Sequence, residues 1–327
     1  MKEYCKKLKE NTRSSNIDIP KTFLFVLVEN FSLVAFSNAI EPLRLANRVA
    51  KKNIYSWKLA SDSSKKVTCS NGISLDTEVD INTIKTPDFI VLCSGENVKK
   101  YTTRSIVNWI RKESRNNTPI VAICTGAYIL AKAGILNNKK STIHWENQEA
   151  LKEEFSNLNI IESVYSIDTN IFTSAGGTSS LDLMLNIISK DRDIKFAKLI
   201  ADQMLHDSIR TEMDKQLPSI PNRIGARNPK ILKAITHMEN NIEEPISTSI
   251  LAEKLKISIR QLERLFQKYF KKSPKRFYMG IRLQKARNLL LKTEMNVLQI
   301  ALASGFSSSS HFVLQRSSVI APCCLYF

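Results

Sequence analysis

Four short apolar runs constrain the first two-thirds of this chain: KTFLFVLV (21–28), DFIVLCSG (88–95), PIVAIC (119–124) and NIFTSAG (170–176). Their density of β-branched and aromatic residues, and their length, read as strands buried on both faces. Helix-period stretches separate them, for example Ala39, Ile40, Leu43, Ala46 and Val49. Strands that are apolar on both sides and alternate with helices predict an α/β fold, a doubly wound parallel sheet covered on both faces. Ligands of such folds bind beyond the carboxyl ends of the strands, so the residues following each run are the candidates for a site.

The last third differs. From Ser219 to Phe327 there are 18 Lys and Arg against 6 Glu and no Asp, out of a formal net charge of +17 for all 327 residues. Pro218, Pro221, Gly225 and Pro229 break any regular pattern at the start of this segment. The organisation read from this is a flexible basic tail (1–18), an α/β domain (19–210), a linker (211–227) and an all-α basic domain (228–327). A hydrophobic fraction of 43% excludes a disordered chain, and the positive excess favours an anionic partner. Six cysteines (Cys5, Cys69, Cys93, Cys124, Cys323 and Cys324) form no CxxC pair and have no His cluster at zinc spacing. Reduced thiols, no metal, no cofactor and a cytoplasmic location are therefore expected, and no apolar run reaches membrane-spanning length.

Within the basic segment a unit repeats. Ala252-Glu-Lys-Leu-Lys256-Ile257-Ser258 recurs 49 residues later as Ala301-Leu-Ala-Ser-Gly305-Phe306-Ser307. Each has a small helical residue, a tight turn, an apolar plug and a Ser able to cap a second helix: a helix-turn-helix, twice. Ser258 would cap a helix presenting Arg260, Gln261 and Arg264, with Leu262, Leu265 and Phe266 facing inward. Arg and Gln pair bidentately with base edges, and Lys272, Lys275 and Arg276 behind them suit phosphate. Ser307, Ser309, Ser310 and His311 are the corresponding candidates in the second unit. The partner implied is double-stranded DNA; the bland alternative is a solvated helix face. His206 and His237 stand alone and read as incidental.

In PIVAICTGAYILAKAGIL a strand runs through Cys124, Thr125 and Gly126 straight into an Ala-rich helix. Such an elbow exposes its side chain beside a helix N-terminus, which predicts a thiol of lowered pKa at Cys124. STIHWEN then supplies His144 as a base, Trp145 as an aromatic wall and Glu146 as a carboxylate. TSAGGTSSLDLML supplies a Gly176-Gly177 loop and Thr178 before a helix. For Trp145 the alternatives are a core aromatic or a cation–π wall shared with Trp57, Trp109 or Phe31. Glu41 and Glu146 are candidate counter-charges.

On RQLERLF, KKSPKRFY, RLQKAR and IALASGFSSSSHF, the segment from about Pro229 to Phe312 resembles the DNA-binding domain of AraC-type regulators. The resemblance implies two helix-turn-helix units joined by a long helix. Lys256 replaces the family's usual turn glycine. Arg316 stands where the family has an aromatic, and 313–327 end atypically in CCLYF, which leaves open an impaired second unit. The first half resembles the class I glutamine-amidotransferase-like, PfpI-like superfamily, whose Cys on this elbow faces a His. IEPLRLAN, ICTGAYILAKAG, IHWEN and SAGGTSSLDLML are similar to the GlxA subgroup of AraC-type regulators.

That subgroup implies a small-molecule effector at Cys124, Thr125, His144, Trp145, Gly176, Gly177 and Thr178. Carnitine, glycine betaine or arginine catabolism is the implied output, with a homodimer and RNA polymerase as further implied partners. Enzymes of the superfamily place a carboxylate near the Cys on the turn after the first strand. In ENFSLVAFSNAIEP only Glu29 and Glu41 flank that turn, so a sensor rather than an enzyme is expected. The alternative is a Cys–His hydrolase or hydratase with a basic appendage.

Overall fold

The computed structural model describes residues 19–62, 65–81, 83, 87–216, 228–309 and 312. Its first part is a sheet in the order β10-β11-β7-β6-β1-β2-β5. In chain order the strands are β1 (Lys21–Leu27), β2 (Tyr55–Ser61), β3 (Lys66–Thr68), β4 (Ser74–Asp76), β5 (Val79–Asp80), β6 (Phe89–Cys93), β7 (Ile120–Ile123), β8 (Lys140–Ser141), β9 (Asn159–Ile160), β10 (Tyr165–Asp168) and β11 (Ile171–Ser174). The four runs expected as strands are β1, β6, β7 and β11, the middle of the sheet. All neighbours pair in parallel except β10 with β11, which is antiparallel. The sheet is thus mostly rather than wholly parallel. The additional strands are two to seven residues long, and β2 (YSWKLAS) mixes polar with apolar side chains.

The helices of this part are α1 (Leu33–Ala50), α2 (Val98–Tyr101), α3 (Arg104–Arg115), α4 (Ala127–Lys132), α5 (Trp145–Glu154), α6 (Ser179–Asp191) and α7 (Ile194–Gln203). Because strand side chains alternate, Phe23, Phe25 and Leu27 of β1 enter one core beneath α1, α6 and α7. Leu24, Val26 and Val28 enter the other, beneath α3 and α4. The two-sided apolarity of the run is the two-sidedness of the fold.

Part of the expected linker belongs to this unit. Lys215 bridges Ser163, the Val164 N–H donates to the Asp214 carbonyl, and Gln216 Nε2 donates to Thr142 Oγ1 and to the Ile143 and Ser163 carbonyls at 2.8–3.0 Å. Upstream, buried Asp182 accepts from the Arg210 backbone N–H and Nε, both at 2.8 Å, and lies 2.8 Å from His206 Nε2. His206 is therefore not incidental: it helps fasten the chain's exit to α6. The tail 1–18, the rest of the linker (217–227) and the atypical 313–327 lie outside the described residues.

The second part is helical among the described residues: α8 (Pro229–Glu239), α9 (Thr248–Lys254), α10 (Ile259–Phe270), α11 (Pro274–Lys292) and α12 (Val297–Ala303). Its two units repeat in hydrogen bonding as they do in sequence. The Lys256 N–H donates to the Glu253 carbonyl and that of Ile257 to Ala252; the Gly305 N–H donates to Leu302 and that of Phe306 to Ala301. Both turn residues are left-handed, Lys256 at φ +52° and Gly305 at φ +77°. Lysine tolerates this where nothing crowds it. At Gly305 a Cβ would strike the Ile242 carbonyl, so that turn has no room for a side chain. No described helix is long and apolar enough to cross a membrane.

Candidate functional site: a cavity at the strand ends and a basic helical face

The sheet changes winding direction between β1 and β6: β2 lies to one side, β7 and β11 to the other. The segments leaving β1, β6 and β7 meet there, and they bring Ser32, Gly95 and Cys124 to one cavity of about 830 Å³. Cys124 is held at φ +58°, in the left-handed region rarely used by residues with a side chain. Its neighbours enforce this. Thr125 Oγ1 donates to the Gly95 carbonyl at 2.6 Å, and the Gly126 N–H bonds back to Ile123 at 3.0 Å. Gly176 closes over the thiol, and a Cβ there would lie 2.7 Å from the Cys124 Cβ and 3.1 Å from Sγ. Of the two glycines of SAGG only Gly176 is required by the elbow's packing; Gly177 has open space around it and is left-handed, at φ +56°. Contrary to the expectation from sequence, neither lines the cavity.

The expected activated thiol is not found. Cys124 is buried, and desolvation pushes its pKa up to about 11, outweighing the backbone hydrogen bond at Thr125 and the nearby Lys292. Helix α4, whose positive end was to lower it, is only six residues long. His144 joins the cavity as the residue before α5, and its N–H donates to the Cys124 carbonyl at 3.3 Å. Burial lowers its pKa, against the opposing pull of Glu146, so the imidazole is neutral near pH 7. The cavity therefore holds a protonated thiol and a neutral imidazole rather than a preformed thiolate–imidazolium pair.

Cys124, Thr125 and His144 line the cavity as expected. Trp145 does not: it is 38% exposed and leans on the His144 ring. The proposed aromatic gathering is also absent, since Trp57 packs against one core and Trp109 lies in the other. Tyr128 is the aromatic that lines the cavity. Thr178 stands outside it, exposed, accepting from the Arg210 guanidinium at 2.7 Å. Of the carboxylates, Glu146 lines the cavity, joined by Glu96 and Glu294, whereas Glu41 pairs with Arg44 and Glu29 accepts from the Thr68 N–H. Lys292 and Glu294 escaped the sequence reading because they belong to the other half of the chain. Among the described residues no three His, Cys, Asp or Glu gather as metal ligands.

In the helical part, Ser258 Oγ accepts from the Gln261 N–H at 3.1 Å and starts α10. Arg260 and Arg264 are exposed one turn apart, Gln261 is half-buried, and Leu262 and Phe266 are fully buried. Lys275 and Arg276 are exposed on the first turn of α11, with Lys272 half-buried before it. In the second unit the helix begins one residue later than the repeat implies. The Phe312 N–H reaches the Ser308 carbonyl, so Ser308 rather than Ser307 occupies the cap. Ser309 is half-buried; Ser310 and His311 lie outside the described residues. A further residue emerges in RLQKAR. Arg282, buried in α11, donates to the Ser304 and Gly305 carbonyls at 3.1 and 2.6 Å and lies 4.3 Å from the Phe306 ring centroid. It holds the second turn against the long helix.

Residues 21–190 match the DJ-1/PfpI family, and residues 251–315 match a helix-turn-helix domain family. The HTH-type transcriptional regulator GbdR of Pseudomonas aeruginosa is 35% identical over 293 residues, 90% of this chain and 80% of that protein. The HTH-type transcriptional regulator CdhR of the same organism is 38% identical over 290 residues, 89% of this chain and 86% of that one. A solved AraC family transcriptional regulator from Pseudomonas putida shares the fold over 57% of this chain and 100% of that chain, with a TM-score of 0.51 at 21% identity. With HTH-type transcriptional regulators as relatives over most of its length, the chain belongs to the DJ-1/PfpI family and is an AraC-type DNA-binding transcription regulator.

Proposed function

We propose that this regulator senses a small amine or amino-acid derivative, of the class of carnitine, glycine betaine or arginine, in the cavity around Cys124 and His144, and controls genes for its catabolism. The observation that carries this reading is the lining itself. Glu96, Glu146 and Glu294 would offer counter-charge to a cationic ligand, in competition with Lys99, Lys100 and Lys292 of the same wall, and the Tyr128 ring, over which Lys99 Nζ lies at 5.8 Å, would face it. The ligand's binding free energy would favour one arrangement of the two units over another.

On the DNA side, Arg260, Gln261 and Arg264 would read base edges in a major groove. Lys272, Lys275 and Arg276 would grip phosphate, with Ser307, Ser309, Ser310 and His311 serving the second unit. A homodimer on paired half-sites in the cytoplasm, recruiting or blocking RNA polymerase, completes the proposal.

The test is a melting-shift series on the full-length chain with carnitine, glycine betaine and arginine. A ligand at 100 times its Kd adds about 2.7 kcal/mol to folding stability, a shift of several degrees. If none of the three moves the transition, the ligand class is wrong.

A further inference from the structure

The cavity is not built by the sensor unit alone. Leu291, Lys292, Thr293 and Glu294, from the end of α11 and the residues after it, form part of its wall. The contact is specific. Lys292 Nζ lies 3.0 Å from Glu146 Oε2 and 2.6 Å from Asn147 Oδ1, both on the first turn of α5. Seven residues earlier on α11, Lys285 Nζ lies 3.5 Å from Glu149 Oε2. The pairs run in opposite order along the two helices, so α11 lies antiparallel on α5 with two of its lysines meeting three α5 residues.

The two lysines are not equivalent. Lys285 also pairs at 3.0 Å with Glu243 of its own unit, and keeps that partner if Glu149 leaves. Among the described residues the partners of Lys292 are on α5 alone, and they are in the cavity wall. The charges at this point act together: Lys292 and the carboxylates Glu146 and Glu96 are the ionised groups felt by the Cys124 thiol, with opposite signs. Lys292 and Glu146 likewise oppose each other at His144. An ammonium from the DNA-binding unit therefore already stands among the acceptors that a cationic ligand would use.

We propose that Lys292 is a built-in occupant of the effector cavity: its ammonium holds Glu146 and Asn147, and a cationic effector must displace it, so that ligand entry and release of α11 from α5 are one event. This rests on the reading of the effector as a cation. Two cations cannot share one carboxylate in a partly desolvated wall without repulsion, so occupancy by one drives out the other. The DNA-binding unit then learns of the ligand directly, through the helix that joins its two turn motifs, with no relay through the sheet.

The experiment uses the full-length chain with Lys292→Met, and Lys292→Arg as the charge-retaining control. Without ligand, amide hydrogen exchange at 145–149 and 285–293 is expected to speed up in Lys292→Met and to stay near the unmutated rate in Lys292→Arg. By titration calorimetry, glycine betaine and tetramethylammonium are expected to bind Lys292→Met at least tenfold tighter, because the competing state no longer depletes the receptive one. Binding of equal strength to the Lys292→Met and unmutated chains overturns the proposal and leaves the cation reading standing. Absence of binding to either chain defeats the cation reading, and the competition with it. Unchanged exchange in Lys292→Met defeats the tie between the helices whatever the ligand does.

Discussion

At the scale of single residues, the site turns on how Cys124 is housed. The sequence showed a strand entering a helix through Cys-Thr-Gly, and the structure has that elbow, with Gly176 fitted against it. What the linear pattern could not convey was burial, and burial decides the thiol's chemistry by disfavouring the thiolate. The unfolded chain releases this proton near pH 9.0 and the folded chain only near 11, so Cys124 withdraws stability as pH rises through that window and leaves stability flat below it. Iodoacetamide labelling at Cys124, read by mass spectrometry on the peptide containing it, is therefore expected to be very slow at pH 7.5 and to climb above pH 9. Fast labelling at neutral pH would restore an activated nucleophile.

At the scale of elements, the helix-turn-helix pair was legible because its signals are local. A small residue, a left-handed turn, an apolar plug and a capping Ser sit within seven positions, and Lys256 took the glycine's conformation. The one-residue delay to Ser308 was hidden by a run of four serines, any of which can cap. Arg282 was hidden for the opposite reason, since its partners lie 22 and 23 residues away and are backbone carbonyls. These two arginines separate structure from recognition. Arg282→Ala leaves two carbonyls unpaired and removes a ring contact, an expected loss of about 2–4 kcal/mol from folding of the helical unit, measured by urea denaturation. Arg260→Ala is expected to leave the urea midpoint within about 0.5 kcal/mol of the parent, and to weaken binding of the operator by about 1–3 kcal/mol in a gel-shift titration. An unaltered operator preference would remove Arg260 from base reading. Weak strands such as β5 and β8 carried no comparable local signal, being two residues long and held by the neighbours they pair with.

At the scale of the molecule, the charge imbalance was readable from composition and its use is testable by salt. If six to ten phosphates are neutralised, operator affinity should fall by about 10³–10⁵ between 50 and 200 mM salt, read from the slope of log affinity against log salt in fluorescence anisotropy. A nearly flat slope would mean that the basic residues are only solvated surface. The joint between the units was not readable, because Lys292 and Glu146 are 146 residues apart and each looks like an ordinary surface charge. The fastening of 211–216 to the sensor, through Gln216 and Lys215, has a consequence for how far any response can go. Only residues 217–227 remain to span from one unit to the other, and a chain of that length stretches to about 40 Å at most. If the helices part, the DNA-binding unit stays on a short leash, near enough to re-dock quickly when the metabolite is gone, so the response resets without recapture from bulk solution.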